Sequence, residues 1–189
     1  LRGYGYQAGA GRAGWVRGGS FPEMGVALKQ KLHAPGPWNM NLNGFGECLP
    51  YEDNFVELAD KTDPWGIPVL RISAYWHDNE LTMRKDITTQ AAEMLEAAGC
   101  KDVRIHDNID DANATLGGAI HEMGTARMGR DPKTSVLNAH NQVWDAPNVY
   151  VTDGSCMTSA SCVNPSLTYM ALTARAVDHA VGVMRRNQL

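Results

Sequence analysis

His121-Glu122-Met123-Gly124-Thr125, Tyr150-Val151-Thr152-Asp153-Gly154-Ser155 and Asn164-Pro165-Ser166-Leu167-Thr168 follow one another in the last third of the chain. They supply an imidazole among glycines, an acid at the end of a short β-branched and aromatic run, and an amide at the start of a helix. Imidazole changes charge near neutral pH, so a histidine held beside an alcohol can take its proton. Gly117, Gly118 and Gly124 permit backbone and ligand to approach closely around His121. Val149–Thr152 reads as a strand that stops at Asp153-Gly154, the kind of strand end where α/β proteins place ligand contacts. Asn164 reads as an N-cap and Pro165 as the first helical residue, so that free N–H groups and the positive dipole end face whatever lies before them. Taken singly, these are a hydrogen-bonded histidine, a turn aspartate and the start of a core helix. Their joint occurrence marks a site, although spacing alone does not name its cofactor.

The helix that opens at Asn164 places Leu167, Met170, Ala171, Ala174, Val177 and Val181 on one stripe, the face expected to meet the core. Earlier in the chain, Leu70, Ile72, Ala74 and Trp76 alternate with Arg71, Ser73 and Tyr75 as in a half-buried strand. Pro64, Gly66 and Pro68 supply its turn. A helix is expected from Asp86 as N-cap to Gly99 as its C′ glycine, followed by a strand over Lys101–His106. Residues 1–20, dense in glycine with Tyr4, Tyr6 and Trp15, read as irregular backbone packed by aromatics. The Gly9-Ala10-Gly11-Arg12-Ala13-Gly14 match to a dinucleotide fingerprint is a coincidence, because neither flank reads as the strand and helix that the motif requires. The fold class is α+β. A boundary is expected in the Asp107–Gly118 stretch, giving units of about 1–110 and 111–189, and Asn113-Ala114-Thr115 is formally a glycosylation sequon.

The 189 residues carry 17 basic and 21 acidic side chains, a formal net charge of −4 that builds no field attractive to nucleic acid or anionic membrane. No apolar run approaches the ~20 residues of a membrane span. Cys48, Cys100, Cys156 and Cys162 lack CxxC spacing and read as free buried thiols, with a Cys156–Cys162 bridge as the alternative.

The three blocks above, together with Ala126-Arg127-Met128-Gly129, Ser135-Val136-Leu137-Asn138 and Asn148-Val149, resemble the C-terminal signature of the glucose-methanol-choline (GMC) oxidoreductases. The strong resemblance covers about residues 117–184. Gly44-Phe45-Gly46-Glu47 and Pro64-Trp65-Gly66-Ile67-Pro68 look like the substrate-domain region of the bacterial branch that includes gluconate 2-dehydrogenase-like and sugar-oxidising members. The resemblance implies the C-terminal portion of a two-domain flavoenzyme: a sheet-based substrate domain, plus the last strand and helix of an FAD-binding domain. It implies that His121 removes the hydroxyl proton of a sugar, polyol or related alcohol while hydride passes to flavin N5. Asn164, which cannot titrate, would orient the alcohol oxygen. Asp153 and Gly154 would sit by the ribityl-pyrophosphate part of FAD, and Asn164, Pro165 and Ser166 by the flavin pyrimidine edge.

The phosphate-binding strand, turn and helix of such a domain are not found in these residues, so the missing FAD-binding segment is expected from elsewhere in the protein or from a complementary chain. An electron-transfer subunit is a further implied partner, the acceptor being oxygen, quinone or cytochrome. Bacterial cytoplasm and periplasm both fit. A reading from a different class is a non-catalytic remnant or subunit that binds a partner chain. A metal-dependent hydrolase using His77, Asp78 and Glu80 is the weaker third, because these residues lack the helical His-Glu spacing of such sites.

Overall fold

The computed structural model describes residues 3–106, 116–118 and 120–186. Its strands form two separate antiparallel pairs. Strand β1 (Tyr4–Arg12) lies along β2 (Trp38–Gly46) in unbroken register, from Tyr4 opposite Gly46 to Arg12 opposite Trp38. The expectation of irregular backbone at the start of the chain is therefore corrected. Glycine disfavours a strand intrinsically, but a full-length partner overrides that local preference. The fingerprint-like run occupies this strand from Gly9 to Arg12 and leads into a 3-10 turn at Trp15–Ser20, so it is no phosphate-binding turn.

The period of two along β1 separates two tasks. Tyr4 and Tyr6 face helix α2 (Asp78–Ala97), where the Tyr4 hydroxyl donates to Asp86 Oδ2 at 2.6 Å and the Tyr6 hydroxyl to the Ile87 carbonyl at 2.8 Å. Opposite them on β2, Gly44 and Gly46 let the helix lie close. A Cβ on Gly44 would collide with Ile87, and one on Gly46 would stand 2.5 Å from Met83 Cε. Met83 and Ile87 are buried in this contact.

Helix α2 begins eight residues before the expected cap. His77 is its N-cap, and Asp78 and Glu80 in the first turn complement the positive end of the dipole. Asp86 reads as a cap in isolation but sits in mid-helix, where its carboxylate is occupied by Tyr4. The expected C-terminus holds, with Gly99 at φ +84°. No strand forms over residues 101–106, where Asp102 takes φ +57° and breaks the extended run.

Strand β3 (Phe55–Thr62) pairs with β4 (Pro68–Ser73) across a turn in which Asp63 Oδ1 accepts from the Trp65 and Ile67 N–H groups, each at 2.9 Å, and Gly66 takes φ +81°. The turn matches the expectation, but the strand ends at Ser73, short of the expected Ala74–Trp76, and the burial differs. Leu70 and Ile72 are 62% and 70% exposed, while Val69 and Ser73 are half-buried.

A short helix α1 (Gly25–His33) packs Leu32 against the Trp15–Ser20 turn. The last helix, α3 (Ser166–Arg185), shows the same reversal as β4: Leu167, Met170 and Val177 of the expected core stripe are 78%, 67% and 55% exposed. It buries Ala176 and Val183 instead, flanked by half-buried Tyr169, Leu172, His179 and Ala180. These residues form the neighbouring stripe of a helix that is apolar over most of its circumference, so periodicity does not select between the two faces.

The segment from Met128 to Tyr150 is a folded loop laced by isolated bridges: Met128 with Leu137, Leu137 with Val143 and Gln142 with Tyr150. The expected Val149–Thr152 strand is reduced to this last bridge. Buried Asn141 joins loop to helix. Its Nδ2 donates to the Val151 carbonyl at 3.0 Å, and its Oδ1 accepts from Arg175 at 2.9 Å. All four cysteines are free thiols. The expected boundary falls largely on residues 107–115 and 119, which with Asn113 lie outside the described residues. No helix among the described residues is long and apolar enough to cross a membrane.

His77, Asp78 and Glu80 do not converge on a metal site. Glu80 is fully buried, and its Oε1 accepts from the Leu49 N–H at 3.0 Å, Asn79 Nδ2 at 3.1 Å and the Tyr51 hydroxyl at 3.4 Å. The His77 ring stacks on Tyr51 with centroids 3.7 Å apart, and no group of three His, Cys, Asp or Glu among the described residues could hold a metal. Burial and the nearby Glu80 carboxylate push the Cys48 thiol up to about 11. Burial alone would raise the Glu80 carboxyl as well, but the hydrogen bonds from Leu49 and Asn79 outweigh it and hold the group below its ordinary 4.5. A depressed folded-state value stabilises the fold above the unfolded value, and that contribution is lost as pH falls through the folded value. The thermal midpoint is therefore expected to be flat from pH 7 to about 5.5 and to fall below about pH 4. Glu80→Gln should lower the neutral midpoint and shallow the acid limb in circular dichroism melts. An acid limb of unchanged steepness in the variant would assign it to other groups.

Candidate active site

The loop that carries His121 is bounded by unusual backbone, with Ile120 at φ +57°, Gly124 at φ +93° and Thr125 at φ +76°. Positive φ at two β-branched residues is costly and persists where surrounding contacts over-determine it. Around Thr125 those contacts come from the Gly154–Cys156 turn. Gly124 N–H donates to the Gly154 carbonyl at 3.2 Å and Met128 N–H to the Cys156 carbonyl at 2.9 Å. Gly154 permits the approach: a Cβ there would stand 2.6 Å from the Glu122 carbonyl oxygen and 2.9 Å from the Tyr169 hydroxyl. Tyr169, in the first turn of α3, donates to Met123 Sδ at 3.2 Å. The first two sequence blocks, and Tyr169 directly after the third, thus meet around one glycine.

Asp153 caps the 3-10 turn Gly154–Cys156, its Oδ1 accepting from the Ser155 N–H at 2.9 Å and the Ser155 hydroxyl at 2.5 Å. The Ser155 hydroxyl, then its N–H, hold the carboxyl below the usual aspartate range against a smaller opposing effect of burial. Asp153 keeps one oxygen, Oδ2, for another partner. The space beside the Gly154 Cα is filled by the Glu122 carbonyl and Tyr169, so this glycine serves the packing of the His121 loop.

The start of α3 differs from expectation by one residue. Pro165 is the N-cap and Ser166 begins the helix, while the exposed Asn164 turns its side chain to β1, where Oδ1 accepts from Gln7 Nε2 at 3.2 Å. Pro165 is buried, Ser166 is exposed, and the first turn carries no acid. Its unpaired N–H groups suit an electron-rich edge.

A long open groove runs past the site, between the His121 loop and the face formed by β2 and α2. Its walls include His121, Thr125, Ser155, Ser159, Phe45 and Trp76. His121 and Ser155 lie on the groove, whereas Asp153, Gly154 and Asn164 stand behind or beside its lining. Residue-by-residue reading missed Tyr169, Gln7 and the pair in which the Ser159 hydroxyl donates to Glu47 Oε1 at 2.5 Å across 112 positions. The aromatic ring one turn into a capped helix was the available signal for Tyr169. The other contacts leave no local trace.

The family model described as GMC oxidoreductase matches residues 50–173. A 2-methyl-1,2-propanediol dehydrogenase of Mycolicibacterium austroafricanum is 39% identical over 139 residues, covering 71% of this chain and 24% of the relative. A gluconate 2-dehydrogenase flavoprotein of Pantoea cypripedii is 29% identical over 160 residues, covering 80% of this chain and 25% of the relative. A fructose dehydrogenase large subunit of Gluconobacter japonicus is 26% identical over 180 residues, 93% of this chain and 31% of the relative. The chain spans about a quarter of the length of the first two of these relatives.

Proposed function

Because this chain belongs to the GMC oxidoreductase family, we propose that it forms part of an FAD-dependent enzyme oxidising the CH–OH group of a sugar, polyol or related alcohol. The observation that carries the reading is the convergence of the His121 loop, the Asp153–Ser155 turn and the start of α3 around Gly154. His121 takes the hydroxyl proton on a ring nitrogen, and Asn164 orients the alcohol oxygen by hydrogen bonding. A bound FAD would accept the hydride from the carbinol carbon.

The residues present fit one side of that cofactor. Asn164, Pro165 and Ser166 offer a helix start free of acids, and Asp153 offers its second oxygen. Gly154 contributes indirectly, through the packing of the His121 loop. No glycine turn between a strand and an α-helix stands among the described residues, so the phosphates of FAD are assigned to polypeptide outside this chain. Residues 1–110 are read as substrate-domain structure, and 111–189 as the region that returns to close the cofactor site. The words flavoprotein and large subunit in the names of two relatives support FAD and an electron-transfer partner for this protein as well.

The test is purification of the gene product that carries this chain. A flavin absorbance spectrum that bleaches anaerobically on addition of a diol, polyol or sugar is the expected result. A preparation without flavin, or one whose flavin no member of an alcohol and sugar panel reduces, would sink the proposal.

A further inference from the structure

Strands β1 and β2 present two faces of opposite character. The face turned to α2 carries Tyr4, Tyr6 and the buried contact with Met83 and Ile87. On the other face Phe45 stands opposite Gly5, Asn43 opposite Gln7 and Asn41 opposite Gly9, and Asn39 follows at the same two-residue interval. Glycine and asparagine are among the residues that strands use least. A row of asparagines on one face of an unbroken ribbon breaks that preference with no gain in packing, and such breaks fall at functional sites. Neither strand places an ionisable side chain on this face. Asn39, Asn41 and Asn43 are exposed and line the same groove as His121. One end of the face is tied to the site: a Cβ at Gly5 would lie 3.2 Å from Cys162 Sγ, and Gln7 meets Asn164 at 3.2 Å. The row therefore starts beside Asn164 at Asn43 and runs away from it through Asn41 to Asn39, a length of about 14 Å at the rise of an antiparallel strand.

A carboxamide both donates and accepts, and so does a hydroxyl, so each asparagine can pair with a sugar hydroxyl whichever way its amide is turned. A row of neutral amides matches a neutral polyhydroxylated ligand and offers no charge to a carboxylate or a phosphate. Glycine on the facing strand gives the amides room: a Cβ on Gly9 would stand 2.7 Å from Asn41 Oδ1, so this side chain lies where a larger residue would displace it. The row is longer than one pyranose ring. We propose that Asn43, Asn41 and Asn39 form a subsite for the part of a neutral glycoside or oligosaccharide that extends beyond the sugar oxidised at His121 and Asn164. The inference rests on the reading of those two residues as the reacting end, and it narrows the substrate to a sugar carrying a second polyhydroxylated unit.

The test follows anaerobic bleaching of the flavin-loaded gene product by glycerol, glucose, galactose, maltose, cellobiose and lactose. At least one disaccharide is expected to give a kcat/KM about tenfold above that of its constituent monosaccharides. Asn39→Val combined with Asn41→Val removes two amides and introduces side chains that favour a strand, so the ribbon is retained. The ratio of disaccharide to monosaccharide kcat/KM should fall about tenfold in this double variant, the effect of losing a pair of neutral hydrogen bonds to the ligand. Asn39→Val alone, at the far end of the row, should show part of the same fall. A general loosening of the ribbon would lower both values and leave their ratio alone, and unchanged flavin absorbance and circular dichroism report intact folding. The subsite is refuted if no disaccharide exceeds its monosaccharides, if the enzyme oxidises glycerol but no sugar, or if the double variant keeps the wild-type ratio. A flavin that none of these compounds reduces sinks the reading of His121 and Asn164, and the subsite falls with it. A flavin reduced by glucose or galactose, with a ratio that the variants do not move, refutes the subsite alone.

Discussion

Replacement of His121 by alanine in the flavin-loaded gene product is expected to lower kcat/KM by about 10²- to 10⁴-fold, the range associated with loss of a general base. The flavin spectrum should remain, because the backbone of the loop is held by the Gly124–Gly154 hydrogen bond and by Tyr169 on Met123, neither of which involves the imidazole. The loss should be chiefly in kcat, since proton removal matters in the transition state more than in binding. His106 is the informative control, as it also lines the groove and is exposed. If His106→Ala collapsed turnover and His121→Ala did not, the base would have been assigned to the wrong imidazole.

What could be read beforehand was local in sequence. Gly99 ends α2 at a positive φ, and the Asp63-to-Gly66 turn carries its own side-chain bonds, so both show in a few adjacent letters. The site blocks were legible for the same reason. Each is a short run of adjacent letters, two with a glycine and the third with Asn164-Pro165 at a helix start, and the family resemblance joins all three. The errors arose where a distant partner decided the outcome. β1 is a poor strand by composition and a complete one beside β2. Asp86 carries the letter of a cap but meets Tyr4 from 82 positions away. On α3, two apolar stripes share one helix, and only the position of Asn141 beside Arg175 and of Met123 beside Tyr169 determines which of them is covered. The outward stripe and the exposed Leu70 and Ile72 are apolar surface without cover among the described residues. This accords with a chain that supplies one side of a site.

Gly154→Ala should be nearly as damaging to activity as loss of the base, although it adds a single methyl group away from the groove. Its Cβ would stand 2.6 Å from the Glu122 carbonyl oxygen, a backbone atom that cannot turn aside as a side-chain tip can, and 2.9 Å from the Tyr169 hydroxyl. Glu122 is covalently next to His121, so relief of the clash moves the imidazole or breaks the Gly124–Gly154 bond. Overpacking of this kind costs about 1–3 kcal/mol in stability, measurable as a lower urea midpoint. A shift of about 1 Å at the base is enough for a ~100-fold loss of kcat/KM. Gly11→Ala, whose Cβ meets nothing within 4 Å, should leave both quantities near wild type. Adding Tyr169→Phe to Gly154→Ala removes the hydroxyl contact and leaves the Glu122 contact in place. The double variant is therefore expected to regain part of the stability while activity stays low. Recovery of both together would place the damage at the helix and dissociate Gly154 from the placement of His121.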